Sequence, residues 1–448
     1  MSDTIKKSTG SITLPAEAGE EKMVVELAQK WGADAIRDSD GTDLSPEMLE
    51  LGLEVYSTTC LVRAEQEYPR KHMDQLPQKF LRSDPVTATG ETLEIDPMSG
   101  FYREKYQIDH KHPAEKYWEV IDRTTGELLP VSQWKYDPQT GKVTIQNAAP
   151  FHVYTVSFLV FQIWDTTSMY NHLTNDWDRP HVISVDPYHK ECWDHLMEYY
   201  EEYLASHPDT DVVRLTTLAY HFAVDSDQDA VDKFRDWTGY QDTISVPALE
   251  DFAKEHGYRL RAEDFVDDGY YNAACRVPTD RYLAWMKFIH KFVVKFGKEL
   301  VSRANKAGKR TAIFWGDHWI GVEPYLPGFL DMGVDIHVGA AEDGVALRRI
   351  SDTPGGLVKE LRLYPYFFPD VFREGGDPLG ESISNWIKIR RALLRKPVDR
   401  LGYGGYLSLA LKFPDFVEHV GELCEEFRSF RDNSGGGESE KAPNKVAV

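Results

Sequence analysis

The most constraining feature of this chain is a rhythm: short apolar runs of strand length alternate with longer segments whose apolar residues recur at helical spacing. Such alternation builds βα units, and βα units build a parallel sheet with helices packed on it. Runs of strand length occur at Ala33–Arg37, Ser57–Val62, Tyr154–Ile163, Val212–Leu218, Arg310–Trp315, Asp335–Gly339, Glu360–Tyr364 and Arg400–Tyr403. Eight runs match the strand number of a (β/α)8 barrel, and 448 residues accommodate a barrel of about 250 residues with insertions. The expected fold is therefore α/β, a partly irregular TIM barrel. Between the runs, His189–Ser206 places Trp193, Leu196, Met197, Tyr200 and Leu204 on one helical face. Arg281–Ala304 does the same with Tyr282, Trp285, Ile289, Val293, Phe296 and Leu300. These stripes read as core faces.

The rhythm breaks over residues 66–150, where turn signals at Thr124-Thr125-Gly126 and Asp137–Gly141 separate alternating segments such as Lys142-Val143-Thr144-Ile145-Gln146. This predicts a β-hairpin insertion between the second and third of the runs counted above. Residues 1–432 are expected to form the barrel, 433–444 have linker composition, and 445–448 look like the start of a following domain that the chain does not contain.

A net charge of −22 argues against nucleic-acid binding, because a phosphate backbone needs a basic face. Any phosphate site must therefore be local, built from a few arginines. Cys60, Cys192, Cys275 and Cys424 are far apart and form no CxxC pair, which suits reduced cytosolic thiols rather than a disulfide frame or zinc site. The polar N-terminus lacks a signal-peptide core, and no apolar run reaches the ~20 residues of a membrane span. The expectation is a cytoplasmic protein with no membrane and no nucleic-acid partner.

In barrels the chemistry sits at the C-terminal ends of the strands. The polar groups there are rich in aromatics, on which sugar rings stack, and in carboxylates and arginines. No serine or cysteine has a paired histidine, so a carbohydrate site fits better than an esterase triad. Asp317 follows the run Thr311–Gly316, and indoles at Trp315 and Trp319 would desolvate its carboxyl and raise its pKa, as a general acid requires. The same aspartate could equally serve as a helix cap or a loop anchor. Arg37, Arg214 and Arg362 lie inside or at the end of strand runs, where a charge calls for an ion pair or a ligand. Gly339–Gly344 could cradle an anion with its backbone N–H groups or be an ordinary loop. His110-Lys111-His112, in the polar insertion, lacks a convincing metal spacing, and no cofactor motif or metal site is apparent.

Several strand-end motifs are distinctive. They are Trp31–Gly41 (WGADAIRDSDG), Met169–Trp177 (MYNHLTNDW), Gly316–Gly321 (GDHWIG), Pro365–Asp370 (PYFFPD) and Leu401–Leu409 (LGYGGYLSL). Together they resemble glycoside hydrolase family 112, the 1,3-β-galactosyl-N-acetylhexosamine phosphorylases, from about residue 12 to 448. The resemblance implies a partly broken TIM barrel followed by further domains, and inverting phosphorolysis of galactosyl-β-1,3-N-acetylhexosamines to α-galactose 1-phosphate and the free amino sugar. By motif it puts the general acid on Asp317 and sugar contacts on Arg37, Asn171, Arg214, Tyr366 and Phe368. It puts the phosphate side on Arg362, Asp343 and Gly344. It implies no cofactor, inorganic phosphate as co-substrate, and a homodimer as one option through domains beyond this chain. One carboxylate then suffices, since phosphate is already a nucleophile where an inverting hydrolase needs a second carboxylate to activate water. Three rivals stand beside this expectation. They are a galactosyl-β-1,4-rhamnose phosphorylase, a β-galactosidase using Glu342 or Asp343 as second carboxylate, and a silent galactoside-binding fragment.

Overall fold

In the computed structural model, eight parallel strands close on themselves. The structure describes residues 10–433 except 40–41, 167, 169–179, 217, 221–222, 230, 237–239, 267–276, 316–327, 329–330 and 354. The barrel strands are β1 (Ile12–Pro15), β2 (Ala35–Arg37), β3 (Glu54–Thr59) and β4 (Val212–Leu215), then β5 (Arg310–Phe314), β6 (Ile336–Ala340), β7 (Val358–Phe367) and β8 (Arg400–Gly405). Each pairs with its neighbour in chain order, and β1 closes the ring against β8 through Ile12↔Leu401 and Thr13↔Gly402. Strand alternation turns Ala35, Tyr56, Val212, Ala312, Ile336 and Val338 into one fully buried cluster drawn from five strands.

The TIM-barrel expectation and the number eight hold, with one exchange of membership. Ile12–Pro15 is a barrel strand that the sequence did not announce, because four residues behind a polar leader are a weak signal. Its entry is fixed from outside the strand: the Asp34 carboxylate accepts from the backbone N–H of Ser11 at 2.9 Å and of Ile12 at 3.3 Å. Conversely, the run expected at Tyr154–Ile163 is a strand, Val153–Gln162, but it belongs to an antiparallel sheet outside the barrel. It reads like a barrel strand because a strand buried on both faces is continuously apolar in either setting. With β1 counted, the insertion follows the third barrel strand.

The chain divides into two compact units, residues 1–61, 197–218 and 293–448 in one and residues 62–196 and 219–292 in the other. The first contains the barrel. The second is built on Val153–Gln162, which pairs antiparallel with Gln78–Arg82, Val86–Thr87, Tyr106–Ile108 and Glu119–Asp122. The expected hairpin is present: Trp134–Asp137 pairs with Lys142–Gln146 across a turn in which Asp137 accepts from the N–H of Gln139 and Gly141 adopts φ 69°. This unit buries Lys79 against Asp225 at 2.8 Å and Asp242 at 3.2 Å.

The two long helical patterns are helices Lys190–Ser206 and Asp280–Lys306. Leu196, Met197, Tyr200, Trp285, Ile289, Phe296 and Leu300 are buried, as their spacing required. Among the described residues no helix is long and apolar enough to cross a membrane.

Candidate active site

Three arginines converge inside the C-terminal half of the barrel. Arg37 ends β2, Arg214 is the third residue of β4, and Arg362 lies mid-way along β7. They are 2%, 7% and 1% exposed, so each has left water for protein. Their mutual proximity shows in the partners they share. The carbonyl of Tyr403 accepts from Arg37 Nη2 at 2.7 Å and from Arg362 Nη1 at 2.9 Å. Burial first, then the charges of Arg362 and Arg214, push the Arg37 guanidinium well below its ordinary value.

The three differ in how they are satisfied. All five donors of Arg37 are committed: Nε and Nη2 to Tyr403 O, Nη1 to Asp38 O and Ser39 Oγ, and Nη2 also to Gly405 O. It clamps β2 to β8, and a sugar contact from it would replace one of these bonds. Arg214 donates to Thr58 Oγ1 at 3.3 Å and lies over the Phe314 ring. Arg362 makes one good hydrogen bond, to Tyr403 O, and its Nη2 stands 3.0 Å from Glu360 Oε1. Among the described residues its Nε and Nη2 nevertheless find no hydrogen-bond acceptor while buried, a costly state that an anion would relieve.

The counter-charges were only partly foreseen. Glu360, wholly buried, also accepts from Thr13 Oγ1 at 3.2 Å. Two charged residues two apart in an apolar strand, Glu360-Leu361-Arg362, share one face, and that spacing was the available signal. Asp38 accepts from the Thr58 N–H at 2.6 Å, and burial raises its pKa to about 7 against the pull of Thr58, Arg37 and Arg214. Among the described residues, these three guanidiniums thus face Asp38, poised to lose its charge near neutrality, and Glu360, whose Oε2 also lies 3.9 Å from Arg400 Nε. The excess is positive in a chain whose net charge is strongly negative.

The glycines of the LGYGGY motif make the room for this. A Cβ on Gly402 would stand closer than 3.0 Å to Arg362 Nη1, and one on Gly404 would stand 3.2 Å from the Tyr366 ring. Beyond them, β7 ends in a half-buried aromatic patch. Tyr364 and Tyr366 stack at 4.6 Å and 13°, Phe368 meets Tyr366 edge-on at 6.2 Å, and Tyr406 meets Phe368 at 5.9 Å. Such a patch offers apolar ring faces to a sugar.

Asp343 and Gly344 lie at the start of the helix Gly344–Asp352. Asp343 is its N-cap, accepting from the N–H groups of Val345 at 2.8 Å and Ala346 at 2.9 Å. A Cβ on Gly344 would come within 3.3 Å of Lys388 O, so the glycine lets two helices approach. Asn385, which sequence reasoning passed over, ties this loop to β7. It donates to Ala341 O and Glu342 O and accepts from the Tyr364 N–H. Asp317 and Asn171 lie outside the described residues, as do residues 434–448.

Fold and site together define a TIM-barrel protein with a buried arginine cluster and an aromatic patch at the end of β7. The chain belongs to the family described as the lacto-N-biose phosphorylase N-terminal TIM barrel domain, which matches residues 10–442. It is 46% identical, over 96% of its length and 57% of the relative's, to a 1,3-beta-galactosyl-N-acetylhexosamine phosphorylase of Bifidobacterium longum subsp. longum. It is 41% identical, over 98% of its length and 62% of the relative's, to a D-galactosyl-beta-1->4-L-rhamnose phosphorylase of Lachnoclostridium phytofermentans. A 1,3-beta-galactosyl-N-acetylhexosamine phosphorylase of that organism is 42% identical, over 96% of this chain and 60% of the relative. The chain therefore spans about three fifths of the length of these curated relatives.

Proposed function

We propose that this chain carries the catalytic site of an inverting disaccharide phosphorylase, which cleaves galactosyl-β-1,3-N-acetylhexosamine with inorganic phosphate to α-galactose 1-phosphate and N-acetylhexosamine. The observation that supports this most is the arginine cluster, where Arg362 keeps buried N–H donors without acceptors beside two further guanidiniums. Phosphate supplies the oxygens that complete those donors and arrives already nucleophilic. Arg362 holds it, Tyr366 and Phe368 face the galactose ring, and Arg214 and Asn171 contribute sugar contacts. Asp317 protonates the departing glycosidic oxygen while phosphate attacks the anomeric carbon from the opposite face in one displacement. Neither carboxylate that a hydrolase would recruit is suited to activating water: Glu342 is solvent-exposed and Asp343 caps a helix. The reaction needs no cofactor, since it transfers one proton and one glycosyl group. A cytoplasmic setting suits it, because a sugar phosphate is of use only where the cell retains it. The N-acetylhexosamine acceptor is preferred over rhamnose because the 46% identical relative carries that name.

The test is turnover of lacto-N-biose with and without phosphate, following anomeric phosphate by NMR. Strictly phosphate-dependent α-galactose 1-phosphate is expected. Asp317→Asn should lower kcat by about 10²–10⁴-fold with sugar binding retained. Galactose release without phosphate would make the protein a hydrolase, and sugar binding without any turnover would make it a binding module.

A further inference from the structure

On β6, strand alternation sends Ile336 and Val338 into the barrel interior and His337 to the outer face. His337 is fully buried there, and nothing in the proposed chemistry uses it. Its Nδ1 accepts from Trp315 Nε1 at 2.9 Å, with the two rings stacked at 5.9 Å and 29°. Because Nδ1 accepts, the proton of the neutral ring sits on Nε2. Burial, aided by Lys359, pushes the imidazole pKa down to about 3, so the ring stays neutral and able to accept across the working pH range. Trp315, 1% exposed, is tied to β6 a second time, its backbone N–H donating to Val338 O at 2.9 Å.

The loop before β7 makes room for this imidazole. A Cβ on Gly356, where φ is +72°, would come closer than 3.0 Å to the His337 ring. A buried imidazole carries a desolvation cost that an aliphatic side chain in the same space would avoid, so its hydrogen bond to Trp315 is the feature to explain. Trp315 directly follows β5, and the next residues in the chain are Gly316 and Asp317.

We propose that His337 is a positioning residue for the general acid: from the outer face of the barrel it holds the indole of Trp315, which stands two residues before Asp317 in the chain. This rests on Asp317 being the acid. The deciding property is selectivity. A residue that only aims the acid matters when the leaving group must be protonated and not when it departs unaided. A residue that only stabilises the fold affects both cases alike.

The experiment compares lacto-N-biose with β-galactosyl fluoride, whose leaving group needs little protonation, both at saturating phosphate. His337→Phe keeps a ring and removes the acceptor, His337→Asn returns an acceptor near the Nδ1 position, and Trp315→Phe removes the donor. His337→Phe and Trp315→Phe should each lower kcat on the disaccharide by about 10- to 100-fold, the size expected of an ångström-scale misplacement. Both should hold the fluoride rate within about threefold and leave KM for phosphate and disaccharide nearly unchanged. His337→Asn should recover most of the loss, and the double Phe variant should be no slower than either single one. Equal losses on both substrates, or an unchanged disaccharide rate in His337→Phe, would overturn the proposal. Asp317→Asn in the same assay separates the two ideas: if it too spares the fluoride, the acid assignment stands whatever His337 does. If it loses both rates alike, the acid assignment fails and the proposal with it.

Discussion

Gly402 offers a way to move one guanidinium without removing a charge. Its φ lies outside the left-handed region, so alanine meets no backbone objection, and the consequence is local. The new Cβ would stand closer than 3.0 Å to Arg362 Nη1 and 3.1 Å from both Glu360 Oε1 and Thr13 O. Thr13 O is main chain of β1 and cannot retreat, whereas the guanidinium is the free end of a side chain and can. It has to withdraw by about 1 Å to reach ordinary van der Waals separation, which breaks or badly stretches its 2.9 Å bond to Tyr403 O. Hydrogen bonds to charged groups are worth about 1.5–3 kcal/mol, so an arginine displaced from its anion should raise phosphate KM by about 10- to 150-fold in Gly402→Ala. The assay is initial-rate phosphorolysis with phosphate varied at saturating disaccharide, then the reverse. Disaccharide KM should change less than about threefold, and the thermal midpoint by only a few degrees. An unchanged phosphate KM in a folded variant would remove Arg362 from the phosphate site, and a larger effect on the disaccharide would move it to the sugar.

Three other outcomes can be measured directly. Tyr366→Ala removes the ring that stacks on Tyr364 and should raise disaccharide KM by about 10-fold, with phosphate KM held within about twofold. Lys79→Ala leaves Asp225 and Asp242 buried without their shared cation and should cost about 3–5 kcal/mol by urea denaturation. Asp38 has its pKa raised from 3.8 to about 7, so the folded protein holds this proton more tightly than the unfolded chain. Its contribution is full below the unfolded pKa and is lost as pH rises through about 7. Between pH 5.5 and 8 this amounts to about 2 kcal/mol at 1.36 kcal/mol per unit. The stability of Asp38→Asn relative to the wild-type protein should therefore improve by that amount over the same interval, and parallel pH curves would refute the assignment.

Local pattern carried much of the architecture. Periods of two and 3.6 residues are properties of short windows, which is why the helical faces around Tyr200 and Trp285 and the strands bearing Arg37, Arg214 and Arg362 were legible directly. The hairpin at Asp137–Gly141 was legible for the same reason, since its aspartate and glycine act within five residues. What the window could not hold is partnership. Whether Val153–Gln162 or Ile12–Pro15 enters the barrel depends on which edges are left to pair, and β1 finds its partner β8 nearly four hundred residues away. The LGYGGY glycines were visible as a motif, but only packing shows that one makes room for a guanidinium and another for a tyrosine ring. The site turns on the same distinction. Arg37 and Arg362 meet at the carbonyl oxygen of Tyr403, and every residue has such an oxygen, so no side-chain pattern marks it. Sequence therefore marked Arg37, Arg214 and Arg362 as charges carried on strands. Tertiary structure alone decided that protein oxygens would meet every donor of Arg37 and leave two of Arg362 without a hydrogen bond, because barrel closure brings those strands to a common centre.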